Sequence, residues 1–255
     1  MAMLSAYLSW AAVQRQTPLW LLCLCAVAAT AAEPPATAPL RVPHIADAPP
    51  FMLTNAQQMP VGGILFDLYQ LLAGAVQRPL HIEAIPRKRV TDLLLRGELD
   101  LYCNGTPEWF VEPALRWSPP LFVHRDLYIS ATPYADFADF TRRSQGKTGT
   151  TFGYVYPTLA PLFASGQLQR VDSYSPAESL RHLQKKNLSA VVVSELEFAY
   201  LQADKSGLYP VEVERNDIQC MYSPALSAEQ VAALDAAIVA LRQQGQISQI
   251  LARYR

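Results

Sequence analysis

Short apolar segments alternate with helical patterns over residues 40–103, and few folds accommodate such an alternation. Three segments predict strands: residues 40–45, 80–85 and 99–103. The helix expected between the first two strands carries its apolar side chains on one stripe: Leu65, Leu68, Leu72 and Val76. A shorter helix is expected at residues 90–95, ending at Gly97. This order and spacing predict a parallel sheet with right-handed crossovers.

A second alternation follows a strand at residues 127–131 that leaves the first unit. Its strands are expected at residues 148–152, 168–171 and 190–193. A helix is expected near residues 159–163, and residues 218–222 form a strand that returns the chain to the first unit. The sequence therefore predicts two α/β lobes, the second inserted into the first, with two crossing strands as a hinge that lets the lobes close over a ligand.

Two helix starts carry the signal of a capping box. Ser175 and Glu178 have this spacing, with Pro176 at the first helical position. Ser227 and Gln230 repeat it near the end of the chain. We expect a helix to begin at each serine.

The first 32 residues have the order of a secretory signal peptide. Arg15 is the only charged residue among them, and an apolar run at residues 19–29 ends in small residues. This run is shorter than the roughly 20 residues that a membrane span needs. We expect residues 1–32 to be removed and the protein to reach the periplasm of a Gram-negative cell. A retained N-terminal anchor is the alternative.

Charge and cysteine content limit the kind of site that the mature chain carries. Of the 21 basic side chains, Arg15 lies in the leader, which leaves 20 against 22 acidic ones. This balance argues against nucleic-acid binding. The four histidines are scattered without metal-ligand spacing, so no metal is expected. Cys103 and Cys220 remain, and export to an oxidising compartment favours a disulfide, with two buried free thiols as the alternative.

The third predicted strand runs into Asn104 and Gly105. Open α/β sheets bind ligands in the crevice outside the carboxyl ends of their strands. The polar turn is therefore a candidate ligand site. A plain surface turn is the alternative.

The order of these segments, together with several short motifs, resembles family 3 of the bacterial periplasmic solute-binding proteins, the polar amino-acid type. The motifs are Pro50-Phe51, Gly62-Gly63 with Asp67 in the following helix, Leu95 to Asp100, Thr106-Pro107-Glu108, Trp117 to Leu121, Gln145-Gly146-Lys147, Gly149 to Gly153, and LRxxGxIxxILxxY at residues 241–254. Their order and spacing, rather than any single motif, carry the resemblance over nearly the whole mature chain.

The resemblance implies the two-lobed, type II fold of periplasmic binding proteins. Residues 33–126 and 218–255 then form the first lobe, and residues 127–217 form the inserted second lobe. It also implies a monomer, without cofactor or catalysis, that captures a small molecule between the lobes. The implied protein partner is the permease of an ABC importer or a membrane receptor. In the resembled fold the strands of Cys103 and Cys220 approach each other, which supports the disulfide.

Two departures from the family's pattern concern its ligand anchors. Members that bind α-amino acids usually carry an Arg shortly after a Thr, and this Arg holds the ligand carboxylate. Here Trp109 follows Thr106-Pro107-Glu108, and the next Arg is Arg116. The family's second anchor, an Asp for the ligand amino group, is replaced by Ser194, or by Glu195 if the chain is shifted by one residue. A standard α-amino acid is therefore not the expected ligand.

Aromatic residues lie at the turns that this fold directs into the cleft: Phe51, Trp109, Tyr154 and Tyr156. Their faces stack on flat or cationic groups, which predicts a ligand with an apolar or cationic body. Asn104, Thr106 and Ser194 complete the predicted ligand-binding set. The alternative for each aromatic residue is core packing. Arg87-Lys88-Arg89 either offers an anion site at a helix start or forms a solvated basic turn.

Two other functions fit the same scaffold. Relatives include periplasmic cyclohexadienyl dehydratases, and such an enzyme needs a general acid in the cleft. Glu108 and Glu195 are the acids expected there. A sensor without transport needs only a closing cleft. The sequence favours a binding protein over an enzyme and does not separate transport from sensing.

Overall fold

The computed structural model describes residues 38–45, 49–201 and 205–255. The predicted signal peptide, residues 1–32, lies outside these ranges. Within them, no helix combines the length and the apolar character needed to cross a membrane.

The first part of the chain alternates strands and helices much as predicted. Its strands are β1 (Leu40–His44), β2 (Leu53–Thr54), β3 (Pro60–Gly62), β4 (Leu80–Ala84), β5 (Leu101–Gly105) and β6 (Arg116–Trp117). Its helices are α1 (Ile64–Ala75) and α2 (Val90–Leu95), the latter preceded by a 3-10 turn at Arg87–Arg89. Leu65, Leu68 and Leu72 of α1 are buried, as their spacing predicts. β5 is shifted from the predicted range and includes Asn104.

The second part of the chain contains the longer strands. They are β7 (Phe122–Ser130), β8 (Gly146–Thr151), β9 (Leu168–Ser173), β10 (Ala190–Ser194) and β11 (Tyr209–Tyr222). The helices are α3 (Phe137–Arg143), α4 (Ala160–Ala164), α5 (Pro176–Gln184), α6 (Glu195–Tyr200), α7 (Ala228–Gln243) and α8 (Gln246–Arg253). The sequence does not predict α3, α6 or the first two thirds of β11.

β7 and β11 run antiparallel to each other and connect the two parts of the molecule. β11 pairs with β7 from Tyr209 to Ile218, and then with β5 and β6 from Gln219 to Tyr222. The resulting sheet has the order β5, β11, β7, β10, β8, β9, with β6 beside β11. β8 is parallel to β9 and β10, and β1 and β4 form a separate parallel pair. The predicted lobe boundaries, 126/127 and 217/218, fall inside β7 and β11 and stay predictions.

Among the described residues, the buried hydrophobic side chains fall into three clusters. The first fills the space between β1, β5 and the helices α1, α2, α7 and α8. The second contains Tyr128 and Val192, and the third contains Ile129 and Val191. Because neighbouring residues of a strand point to opposite faces, these two clusters cover the two sides of one sheet. We call β1–β6, α1, α2, α7 and α8, with the connecting turns, the first lobe, and β8–β10 with α3–α6 the second lobe.

A disulfide joins Cys103 of β5 to Cys220 of β11, as predicted. Both cysteines are fully buried in the first cluster. The bond closes a loop with a sequence separation of 117 residues. In the chain-entropy model, closing a loop of this size stabilises the folded chain by about 4–5 kcal/mol. The disulfide thereby holds the end of β5, which carries Asn104, against β11.

α6 and α7 both begin with a reciprocal capping box. At α7, Gln230 N donates to Ser227 Oγ at 3.2 Å and Ser227 N donates to Gln230 Oε1 at 2.8 Å, as predicted. We call this exposed pair the surface box. The same contacts join Ser194 and Glu197 at α6, and we call this pair the buried box.

The capping box predicted at α5 is only half present. Ser175 Oγ accepts a hydrogen bond from Glu178 N at 3.3 Å. The Glu178 carboxylate, however, accepts from Tyr174 N at 2.9 Å rather than from Ser175 N. Glu178 therefore anchors the residue before the cap, and α5 still begins at Pro176.

Candidate functional site

A small cavity lies between the two lobes. Its lining includes most of the predicted ligand-binding set: Phe51, Asn104, Trp109, Tyr154, Tyr156 and Ser194. Residues outside that set complete it: Arg87, His124, Asp126, Thr151, Val155, Val192, Val193 and Glu197. The cavity volume is about 20 Å³, which is room for one water molecule. The lobes are therefore closed on each other.

Phe51 reaches the cavity from the turn before β2, and the start of α1 packs against this turn through a hydrogen bond from Leu65 N to the Phe51 carbonyl oxygen. Gly63, directly before α1, has a φ of +111°, and a Cβ there would lie 2.7 Å from the Phe51 carbonyl oxygen and 2.8 Å from Met52 Cα. Only glycine fits this position. The Phe51 ring stacks on the His124 imidazole with 6.4 Å between centroids. The turn thus holds an aromatic face against the cavity.

β5 brings Asn104, the residue before its last, to the cavity, and this side chain is buried. Its Oδ1 has no hydrogen-bond partner among the described residues. Thr106 belongs to the predicted set but does not line the cavity. It is buried, and its hydroxyl donates to the Glu108 carboxylate. Thr106 therefore stabilises the loop after β5, and its role in ligand binding stays a prediction.

Trp109 both packs against its neighbours and lines the cavity. Its Nε1 donates to Glu214 Oε1 of β11 at 3.0 Å. Its ring meets the His124 ring edge-on, with 5.2 Å between centroids. Trp109 therefore has packing contacts as well as a place in the cavity wall, and its role in ligand binding stays a prediction.

Arg87 differs in its surroundings from Lys88 and Arg89, the other two residues of the basic segment. Its guanidinium carbon lies 4.3 Å from the Tyr154 ring centroid and 5.1 Å from the Phe110 ring centroid. Its Nη1 donates to the Tyr102 hydroxyl at 3.2 Å. Lys88 and Arg89 are exposed. One residue of the segment thus faces the cavity, while the other two form a solvated basic turn.

The second lobe contributes tyrosines from the turn after β8. Tyr156 is buried, and its hydroxyl accepts from Thr151 N at 3.0 Å. Burial raises the pKa of both Tyr154 and Tyr156 well above the usual value, so both hydroxyls stay neutral. The stacking of Arg87 on Tyr154 joins the two lobes across the cavity.

The buried box supplies a carboxyl group to the cavity. Glu197 is 4% exposed. Its Oε2 accepts from Ser194 N at 2.9 Å and from Ser194 Oγ at 2.8 Å. Its Oε1 is buried without a partner in the described part of the chain. Burial raises the pKa of Glu197, although the Ser194 hydrogen bonds act in the opposite direction.

His124 and Asp126 lie two residues apart on β7 and therefore on the same face of the strand. His124 Nε2 is 2.9 Å from Asp126 Oδ1, whereas Nδ1 is buried and has no partner among the described residues. Burial by itself lowers the pKa of His124. The hydrogen bond to Asp126 and the charges of Asp126, Glu197 and Glu195 outweigh this effect, and the pKa is raised.

The acids that the sequence places near the cleft do not line this cavity, whereas Asp126 and Glu197 do. Glu108 is exposed and contacts Thr106. Glu195 forms ion pairs with Arg125 at 2.6 Å and with Arg255 at 3.2 Å. Since α6 begins directly after Ser194, helical geometry directs Glu195 elsewhere and brings Glu197 to the cavity.

Local sequence contains a signal for some of the unpredicted residues. Ser194 to Glu197 has the Ser-x-x-Glu spacing of a capping box. His124 and Asp126 share a strand face, but the strand is predicted only from residue 127. The basic segment at residues 87–89 was a candidate anion site, but no local pattern separates Arg87 from Lys88 and Arg89, because the partners of Arg87 come from other segments.

Known structures match this chain along most of its length, although no family model and no curated protein matches it. The ancestral amino-acid-binding protein AncCDT-1, described as a precursor of cyclohexadienyl dehydratase, has a TM-score of 0.70 at 17% identity, over 85% of this chain and 95% of its own. The GluR0 ligand-binding core with L-glutamate has a TM-score of 0.70 at 17% identity, over 86% and 99%. AbpA from Streptococcus pneumoniae, an amino-acid ABC transporter substrate-binding protein bound to L-arginine, has a TM-score of 0.69 at 17% identity, over 85% and 94%.

These matches cover nearly the full length of each neighbouring structure. At 17% identity, the similarity is evidence for the fold alone. The chain has the two-lobed α/β fold of the family 3 periplasmic solute-binding proteins, as its sequence resemblance predicts.

Proposed function

We propose that this chain is a periplasmic solute-binding protein that captures one small molecule between its lobes and delivers it to an ABC importer. The cavity supports this proposal because both lobes line it: Phe51, Asn104 and Trp109 come from the first, Tyr154 and Glu197 from the second. A ligand that contacts both lobes stabilises their closed arrangement. AbpA, which has the same fold, is described as the substrate-binding protein of such a transporter.

The proposed ligand is not a standard α-amino acid. GluR0 and AbpA are described as bound to L-glutamate and L-arginine, respectively. Here Trp109 takes the position of the usual carboxylate anchor, and it is engaged with Glu214. Ser194, in the position of the usual Asp, is engaged with Glu197. Both usual anchors are thus replaced by residues with other partners.

Ligand entry requires the lobes to move apart, since a cavity of about 20 Å³ holds little more than a water molecule. β7 and β11 pass between the lobes and are the natural hinge. We place the boundaries of the inserted lobe within these strands, near residues 126 and 217. This arrangement supports closure upon a ligand.

A thermal-shift screen of residues 33–255 against amines, amino acids, osmolytes and aromatic acids tests the binding function. A ligand that binds only the folded protein stabilises it by about 2.7 kcal/mol at a hundredfold excess over Kd, and raises the Tm. Trp109→Ala should reduce this shift. Val111→Ala, at a position 88% exposed, is the control and should not. A screen without a hit, or a hit that binds Trp109→Ala as tightly as the wild type, contradicts the proposal.

Delivery to an importer needs a separate test. Permease and ATPase genes beside the gene for this chain support transport, and a membrane receptor gene in their place supports sensing. Loss of uptake of the identified ligand after deletion of the gene is the functional measurement. Unchanged uptake contradicts delivery while leaving ligand capture in place.

A dehydratase is the second candidate function. Glu197 is a buried carboxyl with a raised pKa at the cavity, which suits a general acid. AncCDT-1 is described as a precursor of cyclohexadienyl dehydratase. Turnover of prephenate or arogenate that is lost in Glu197→Gln would favour this function. Absence of turnover above background leaves the binding function.

A further inference from the structure

Arg87 is the only arginine or lysine among the described residues that line the cavity. It contacts the ring faces of Tyr154 and Phe110 and one acceptor, the Tyr102 hydroxyl. None of the ion pairs in the described part of the chain includes Arg87. A cation is therefore held at the cavity without a counter-charge in contact.

Within the described part of the chain, the Arg87 guanidinium donates to one protein acceptor, the Tyr102 hydroxyl. A guanidinium has five N–H donors in a planar fork. The aromatic faces attract its charge but do not match this fork. A carboxylate accepts two of the N–H groups at once. Because the aromatic contacts already restrict the side chain, binding such a group costs little further conformational entropy.

Other parts of the cavity wall require donors instead. Asn104 Oδ1 and Glu197 Oε1 are buried acceptors without a partner among the described residues. Leaving a buried acceptor unpaired is unfavourable, so a ligand that brings an N–H group to this wall is favoured. The cavity thus distinguishes an anionic end from an N–H-donating end of its ligand.

We propose that Arg87 binds the anionic group of the ligand, and that the ligand is a small carboxylate with an N–H donor at its other end. This inference rests on the proposed solute-binding function. It assigns the anchor to the turn before α2 rather than to the loop after β5, where the family's Arg is missing. Because Arg87 belongs to the first lobe and Glu197 to the second, such a ligand links the lobes.

Calorimetric titration of residues 33–255 with γ-aminobutyrate, β-alanine and para-aminobenzoate tests this inference, with the primary amides of the three acids as matched probes. The wild type should prefer an acid over its amide. Arg87→Gln should weaken binding of the acid roughly 10- to 100-fold and binding of the amide much less, so that the preference for the acid is lost. Arg89→Gln changes an exposed residue of the same turn and should behave as the wild type.

Arg87→Lys keeps the charge without the planar fork, and its loss of affinity should be intermediate. Circular dichroism and the Tm establish that each variant is folded. Equal binding of acid and amide by the wild type, or an acid preference that survives in Arg87→Gln, overturns the inference but not the binding function. Absence of binding by all six probes also overturns the inference, whereas the binding function fails only if the wider screen finds no ligand.

Discussion

The buried box and the surface box use the same local motif in opposite surroundings. In each, a serine hydroxyl accepts from the backbone N–H three residues later, and the side chain of that residue accepts from the serine N–H. Ser227 and Gln230 are exposed, whereas Ser194 and Glu197 are 1% and 4% exposed. The surface box begins a helix. The buried box also presents an unpaired carboxyl oxygen to the cavity.

This difference shows that a capping motif decides where a helix begins, while burial decides what else its side chains do. Gln230 is neutral and surrounded by solvent, so its role ends with the cap. Glu197 is ionisable and buried, and burial raises its pKa because the charged form loses solvation. The same two hydrogen bonds therefore accompany a helix start in one place and a candidate binding group in the other.

The largest expected difference between the boxes is in their contribution to stability. Ser194→Ala should lower the free energy of unfolding by about 2–3 kcal/mol, because the buried Glu197 carboxyl loses a donor and a backbone N–H loses its acceptor. Ser227→Ala should cost about 1 kcal/mol, since water replaces the exposed hydroxyl. Urea denaturation at neutral pH measures both values. Equal losses would show that burial does not distinguish the boxes.

The next prediction concerns the pH dependence of stability. Burial raises the pKa of Glu197 above its ordinary 4.5. Between that value and the raised one, the folded protein keeps a proton that the unfolded chain has released. The contribution of Glu197 to the free energy of unfolding is therefore complete below pH 4.5. It is lost as pH rises through the folded pKa, by at most about 1.4 kcal/mol per pH unit.

His124 acts in the same direction at higher pH. Its pKa is raised above 6.5, so its contribution is complete below that pH and is lost as pH rises through the folded value. The Glu197→Gln variant gives the buried box the residue of the surface box. Between pH 4.5 and 6.5, its free energy of unfolding, measured by urea denaturation, should change less with pH than that of the wild type. A profile identical to that of the wild type would contradict the assigned role of Glu197.

The residues that precede each helix explain why the sequence predicts the surface box and not the buried one. α7 follows a turn and continues for 16 residues, so its start stands out. α6 has six residues and follows the apolar strand β10 without a loop. Because the strand runs directly into the helix, no turn in the sequence marks where α6 begins. Glu197 therefore had a local signal, while its burial came from the packing of the whole molecule.

The same distinction separates the predictable parts of the fold from the rest. α1 and β10 bury regular apolar patterns and were predictable from their sequences. In residues 209–217 of β11 the apolar alternation is short, covering Val211 and Val213, and three charged side chains are exposed; their strand is defined by pairing with β7. Phe51 and Tyr154 could be predicted from turns beside strand ends. Arg87 could not be separated from Lys88 and Arg89, because its contact with Tyr154 forms only where the two lobes meet.

The smallest expected effect comes from the reverse exchange, Gln230→Glu, which gives the surface box the acid of the buried box. The carboxylate still accepts from Ser227 N–H, stays solvated and lies in the first turn of α7, where negative charge is favourable. The variant should gain about 0.3–1 kcal/mol at neutral pH, and this gain should disappear as pH falls through the carboxyl pKa. The sign is opposite to that of Glu197. Urea denaturation at neutral and acidic pH, repeated at high salt to screen the charge, measures the effect. If the added stability of the variant instead declines with rising pH, the motif and not its burial determines the sign of the pH dependence of stability.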